Sequence, residues 1–199
     1  MPTQDFLSPA YWDNRYQHNQ TGWDIGYVSA PIKEYIDQLT NKNIRILIPG
    51  AGNSYEARYL AEKGFSDITV VDFSEVVTEN LRREIDPSIK ILTLDFFALT
   101  GEYDLILEQT FFCAIDPSLR ESYVRKVKEL LSSNGKLAGL LFSTEFDANP
   151  PFGGNKEEYR QLFSSVLRIK LLEDCTNSIP ARAGREVFLI AENGNDLHS

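Results

Sequence analysis

Short blocks of β-branched and aliphatic residues alternate along this chain with amphipathic stretches. Residues 31–39, PIKEYIDQL, place Ile32, Tyr35, Ile36 and Leu39 on one helical face, and Pro31 suits a first helical position, where its missing N–H is not needed. The run 44–48, IRILI, then leads into Pro49-Gly50-Ala51-Gly52, the pattern of a buried parallel strand entering a tight turn. The spacing predicts a helix over 54–63 closed by Gly64, and a strand over 68–71 ending at Asp72. A helix over 74–85, a strand over 89–94 ending at Asp95, and a strand over 103–107 ending near Glu108 continue the alternation. A helix over 118–131, stopped by Asn134-Gly135, and a strand over 136–142 complete it. Strands alternating with helices predict an α/β fold with a doubly wound parallel sheet. The strand-like runs 166–172 and 186–191 lack a clear helix between them and predict a terminal antiparallel pair. Residues 1–30 read as an irregular polar and aromatic arm and 194–199 as a frayed tail, so one domain spans 1–199.

In an open parallel sheet, ligands bind beyond the carboxyl ends of the strands, so the strand tips are where chemistry is expected. The first tip offers Gly50 and Gly52, where missing Cβ atoms let backbone approach a ligand. The second offers Asp72 followed by Phe73, placed to accept from the two hydroxyls of an adenosine ribose. The third offers Asp95 and Phe96, a carboxylate for an adenine amino group and a ring to pack on the base. Each feature alone has a plainer reading, an ordinary turn for the glycines or a helix cap for Asp95. Glycine, acid and acid at three successive tips form a nucleoside-site pattern. A dinucleotide site would want a third glycine where Tyr55 stands, which weighs against an NAD-type oxidoreductase without removing it.

Composition narrows the partners. Twenty Lys and Arg against 29 Asp and Glu leave a net charge of −9, a field that repels nucleic-acid backbones and anionic bilayers. No run of apolar residues is long enough to span a membrane, and the first residues, MPTQDFLSPAYW, lack the basic and apolar regions of a signal peptide. Cys113 and Cys175 stand far apart with no CxxC or histidine cluster, which suits reduced thiols in a cytoplasmic chain and predicts no metal site. A monomer with a small-molecule partner is expected.

In order along the chain stand IPGAG at 48–52, VDFS at 71–74, DFF at 95–97, FFCAIDP at 111–117, PPF at 150–152 and SIPAR at 178–182. Together they resemble the S-adenosylmethionine-dependent thiopurine S-methyltransferase superfamily, especially its halide/thiol methyltransferase branch, over nearly the whole chain. The resemblance implies a class I methyltransferase, a Rossmann-like, seven-stranded, mostly parallel sheet with helices on both faces and its last strands antiparallel. It implies S-adenosylmethionine as cofactor and S-adenosylhomocysteine as product. By the same resemblance Trp12, Tyr16 and Trp23 cover the cofactor, while Gly50, Gly52, Asp72, Phe73, Asp95, Phe96 and Gln109 complete its contacts. Tyr16 stands where that branch usually has a tryptophan, and Gln109 where the plant enzymes have a tyrosine.

Physics agrees with the aromatic arm, because a sulfonium has no N–H donor and is held by π-faces, carbonyls and carboxylates. The same rings would also serve simply to pack the arm on the domain. A soft anion already carries its attacking lone pair, so alignment and water exclusion suffice and no catalytic residue is expected. The two histidines agree: His198 is in the tail and His18 in the arm. Phe111, Phe112 and Cys113 are candidates for one wall of the acceptor pocket, with Phe142, Pro151 and Phe152 opposite. One of Phe111 and Phe112 is expected in the core, since neighbours point to different sides. Phe142 replaces a tyrosine of the plant enzymes, which favours a softer or larger thiol over a halide. Arg182 and Arg185, in the loop before the last strand, offer positive charge, and Arg182 is the one placed in the pocket. A cofactor-binding protein without turnover is the remaining alternative.

Overall fold

The computed structural model describes residues 6–194. One seven-stranded sheet is built from β1 (Arg45–Pro49), β2 (Asp67–Asp72), β3 (Lys90–Thr93), β4 (Tyr103–Gln109), β5 (Leu131–Phe142), β6 (Arg168–Asp174) and β7 (Glu186–Glu192). Their order across the sheet is β3-β2-β1-β4-β5-β7-β6. The first five are mutually parallel, and β7 runs antiparallel between β5 and β6. The order reverses between β1 and β4, which is where ligands collect in doubly wound sheets. The helices are α1 (Pro9–Gln17), α2 (Ala30–Asp37), α3 (Tyr55–Glu62), α4 (Glu75–Glu84), α5 (Arg120–Leu130) and α6 (Lys156–Ser164).

Two apolar layers hold the sheet. One, with Ile32, Ile46, Leu60, Val70 and Leu81, packs α2, α3 and α4 on one face. The other, with Leu47, Ile106, Tyr123, Val127 and Phe163, packs α5 and α6 on the opposite face. Alternate residues of a buried strand serve opposite faces, which is why Ile46 and Leu47 belong to different layers. A strand covered on both faces, as β1 is, must therefore be apolar on both.

Three elements differ from expectation. The arm contains a true helix, α1, whose side chains are all at least partly exposed; Ser8 caps it, its Oγ accepting from the Tyr11 N–H at 3.2 Å. α6 lies in a stretch for which the sequence pattern predicted nothing, with Asn155 capping through an Oδ1 that accepts from Glu158 N–H at 2.9 Å. Asn134-Gly135 does not end a helix: α5 stops at Leu130 and the chain enters β5 directly, with a register shift against β4 between Tyr103 and Leu105. Residues 195–199, including His198, and residues 1–5 lie outside the described residues, so most of the expected tail does too. Among the described residues, no helix is long and apolar enough to cross a membrane.

Candidate active site

The tips of β1, β2 and β4 and the arm enclose a cavity of about 730 Å³, within the range of small-molecule and cofactor sites. Asp72 ends β2 at its centre. Its Oδ2 accepts from Gly52 N–H at 3.3 Å and its Oδ1 from Ser74 N–H at 2.9 Å, so the backbone fixes its orientation. Burial pushes its pKa up to about 6, and the two N–H bonds only partly offset this.

Gly50 and Gly52 both take left-handed backbone, φ +56 and +50. The protein's own packing gives each a reason to lack a Cβ. A Cβ on Gly50 would run into the Phe111 ring, and one on Gly52 would sit 2.8 Å from the Tyr16 hydroxyl. Protein atoms already occupy that space. Gly50→Ala is therefore expected to lower stability by about 2–4 kcal/mol, combining positive φ with overpacking, as read from a thermal melt. Ser54 also takes left-handed backbone, φ +49, and its buried Oγ has no hydrogen-bond partner among the described residues; it too lines the cavity.

The arm is tied to the tips by side chains from several elements. Asp13 accepts from Ser74 Oγ and from Val76 N–H at the positive end of α4. Asp24 accepts from Asn53 Nδ2 and from the Tyr55 hydroxyl. Ser29 Oγ donates to Gln109 Oε1 at 2.7 Å, and Arg182 Nη2 donates to the Trp23 carbonyl at 2.7 Å. Within the arm, Trp23 meets Trp12 at 5.5 Å and Tyr16 at 5.8 Å, edge to face, with the Arg15 guanidinium 5.1 Å from the Trp23 ring. Burial, reinforced by the nearby Asp72 charge, raises the Tyr16 hydroxyl well above the usual tyrosine range.

The expected residues Trp12, Tyr16, Trp23, Gly50, Gly52, Asp72, Phe73, Asp95, Phe96, Gln109, Phe142 and Arg182 all line this one cavity. Asp95 also serves as a cap, its Oδ1 accepting from Phe97 N–H at 2.9 Å. Phe112 and Phe152 are corrections. Phe112 is 1 % exposed and points into the core against Tyr123, Tyr159 and Phe163, while Phe111 faces the cavity. Phe152 is set aside from the cavity, and Pro150 and Pro151 contribute the wall there instead. Arg182 is buried, not a solvated loop residue.

Two buried carboxyls have roles that the sequence pattern does not assign. Glu108, 1 % exposed, braces the turn after β4: its Oε1 accepts from Phe111 and Phe112 N–H, each at 2.9 Å, and its Oε2 from the Tyr123 hydroxyl at 2.5 Å. Glu56, in the first turn of α3, is buried beside the cavity. Burial raises both to about 7. A charged residue inside an apolar helical or strand pattern was the available signal for each.

The thiopurine S-methyltransferase (TPMT) family pattern matches residues 7–194. The chain belongs to this family. It is 28% identical over 159 residues to a probable thiol methyltransferase 2 of Arabidopsis thaliana, covering 76% of this chain and 70% of that one. It is 28% identical over 192 residues to a thiopurine S-methyltransferase of Acinetobacter baylyi, covering 82% and 87%. The fold resembles that of the Burkholderia thailandensis 1,6-didemethyltoxoflavin-N1-methyltransferase, a structure with bound 1,6-didemethyltoxoflavin and S-adenosylhomocysteine. There the TM-score is 0.77 at 15% identity, over 95% of this chain and 88% of that one. The protein is an S-adenosylmethionine-dependent methyltransferase of the class I fold. The oxidoreductase alternative gains no support.

The cavity fits that cofactor. One wall carries polar groups with free capacity, the Asp72 carboxylate and the unpartnered Ser54 hydroxyl, beside the N–H groups opening α3. The lining also carries aromatic rings, Trp12, Tyr16, Trp23, Phe73 and Phe96 among them. An adenosine needs both kinds of surface.

Proposed function

We propose that this enzyme methylates a small thiol or similarly soft anion, in a site where the chain's residues position and desolvate the acceptor. The observation that carries this is the acceptor end of the cavity. There Phe142, Phe146, Pro150, Pro151 and Ala181 form an apolar wall, and the lining includes neither histidine nor lysine. His18, exposed and held on the Asn14 carbonyl at 2.8 Å, stands away from it.

S-adenosylmethionine supplies, when bound, a methyl group on a positively charged sulfur. In this reading Asp72 accepts from the ribose hydroxyls, Asp95 from the adenine amino group, and Phe73 and Phe96 border the base. Gly50, Gly52 and Gln109 shape the strand tips, while Trp12, Tyr16 and Trp23 close the site from above. Phe142 and Phe146, ring centroids 4.9 Å apart, keep water from the acceptor. Alignment of this kind is worth up to ~7–11 kcal/mol of a displacement barrier, so no proton relay is required. Phe142 offers no hydroxyl to a hard anion. Thiols that carry an aromatic or aliphatic group suit the apolar wall better than a bare halide such as iodide.

We further read residues 1–199 as one catalytic domain acting as a monomer, with no nucleic acid or membrane partner. The two buried, unpaired cysteines support a reducing, cytoplasmic setting. A radiolabelled-methyl assay over thiophenol, bisulfide, thiocyanate, 6-mercaptopurine and iodide tests the acceptor class. Turnover highest on thiophenol and lowest on iodide is expected. S-adenosylhomocysteine binding with no methyl transfer to any of the five would leave only the reading of a catalytically silent binding protein.

A further inference from the structure

Two arginines from the turn between β6 and β7 line the acceptor end, and they are held in different ways. Arg182 is 8 % exposed and is held by contacts within the protein. Its Nη2 donates to the Trp23 carbonyl at 2.7 Å, its Nη1 lies 3.5 Å from Glu186 Oε1, and its guanidinium sits 5.5 Å from the Phe142 ring centroid. Glu186 is itself only 4 % exposed, and Glu56 is close enough to feel the same guanidinium. The positive charge of Arg182 is thus opposed from within the protein. Little of it is left for a ligand.

Arg185 is exposed and makes no ion pair among the described residues. Its guanidinium lies 4.9 Å from the centroid of Phe146, which packs edge to face on Phe142. Arg185 therefore sits at the rim of the apolar wall with its N–H donors uncommitted to any carboxylate. An unpaired guanidinium beside an aromatic surface can form charge-assisted hydrogen bonds to an anion while the ring takes the apolar part.

We propose that Arg185, not Arg182, reads the charge of the methyl acceptor, and that Arg182 is a positioning residue that holds the arm closed through the Trp23 carbonyl. This rests on the acceptor reading given above. Exposure and salt limit the effect of Arg185 to about fivefold. The loss of a buried charged hydrogen bond to the arm makes the effect of Arg182 about tenfold.

The test uses the whole chain with thiophenolate and 4-mercaptobenzoate, which carry one and two negative charges on the same ring at mildly alkaline pH. Arg185→Gln is expected to raise KM for the dianion about fivefold more than for the monoanion, with S-adenosylhomocysteine affinity by calorimetry near that of the wild type. Arg182→Gln is expected to weaken S-adenosylhomocysteine binding about tenfold, to expose residues of the arm to limited proteolysis, and to change both thiols alike. Arg182→Lys, which keeps a donor and the charge, should restore part of that affinity and guards against a variant that fails to fold. Equal shifts for both thiols in Arg185→Gln, or a charge-dependent KM in Arg182→Gln, would overturn the proposal while leaving the acceptor reading intact. A wild-type protein that binds S-adenosylhomocysteine yet methylates neither thiol overturns the acceptor reading, and the proposal with it.

Discussion

Asp72→Ala is expected to weaken S-adenosylhomocysteine binding by at least a hundredfold in titration calorimetry. Two hydroxyl donors to one carboxylate contribute about 1.5–3 kcal/mol each, and a total of about 3–6 kcal/mol corresponds to factors of roughly a hundred to ten thousand or more. Alanine also deprives Gly52 and Ser74 N–H of their acceptor, so part of the loss reflects a loosened turn. Asp72→Asn separates the two contributions in part, because the amide keeps the shape and one acceptor oxygen for the turn but turns a donor toward the other N–H. Asn should lower the melting temperature less than Ala does and still lose at least tenfold in affinity. The pH profile gives an independent reading. The carboxyl is raised to about 6, and only its ionised form offers all its lone pairs to hydroxyl donors. Affinity should hold above neutrality and fall toward tenfold per unit as pH drops below about 6. A flat profile in the wild type, or unchanged affinity in Asp72→Ala, would remove the ribose from this tip.

Glu108→Ala is expected to cost about 3–5 kcal/mol of stability, lowering the melting temperature by roughly 10–15 °C. Three buried donors, two backbone N–H groups and a tyrosine hydroxyl, would lose their acceptor together. Glu108→Gln should cost about 1 kcal/mol or less, since one amide oxygen still serves both N–H groups and the Tyr123 hydroxyl can turn to accept from the amide. The sign of the pH effect follows from the raised carboxyl. The folded state holds the proton to about pH 7 and the unfolded chain releases it near its ordinary value, so the stability from this group is present at low pH and lost as pH rises toward 7. Glu108→Gln should therefore gain on the wild type between pH 5 and 8 in paired melts. A melting temperature in Glu108→Ala within a few degrees of wild type would show that the turn needs no brace.

The sheet was legible because buried strands advertise themselves by continuous apolar runs ending at glycine or acid, and Gly50, Asp72 and Asp95 mark three tips directly. α1 was not, because it buries no side chain and so has no helical stripe; Ser8 followed by Pro9 was its one local signal. α6 carries Tyr159 and Phe163 one turn apart, with Asn155 as cap, and was readable by the same rules that found α4. The acceptor wall was legible only in part. Adjacent rings diverge, so sequence alone cannot say that Phe111 faces the cavity and Phe112 the core. Likewise, nothing in SIPARAGRE tells the partnered arginine from the open one. That distinction depends on Trp23 and Glu186 arriving from elsewhere in the fold.

The tethers of the arm reach α4, the turn before α3 and its first residue, the end of β4 and the turn before β7. The arm's release therefore draws on four sites at once, so cutting one, as in Arg182→Gln, makes opening more frequent while the other three still hold part of the arm. Residence time of the spent nucleoside would then be governed by that joint opening, whereas a small acceptor arriving past the Arg185 rim needs no such wait.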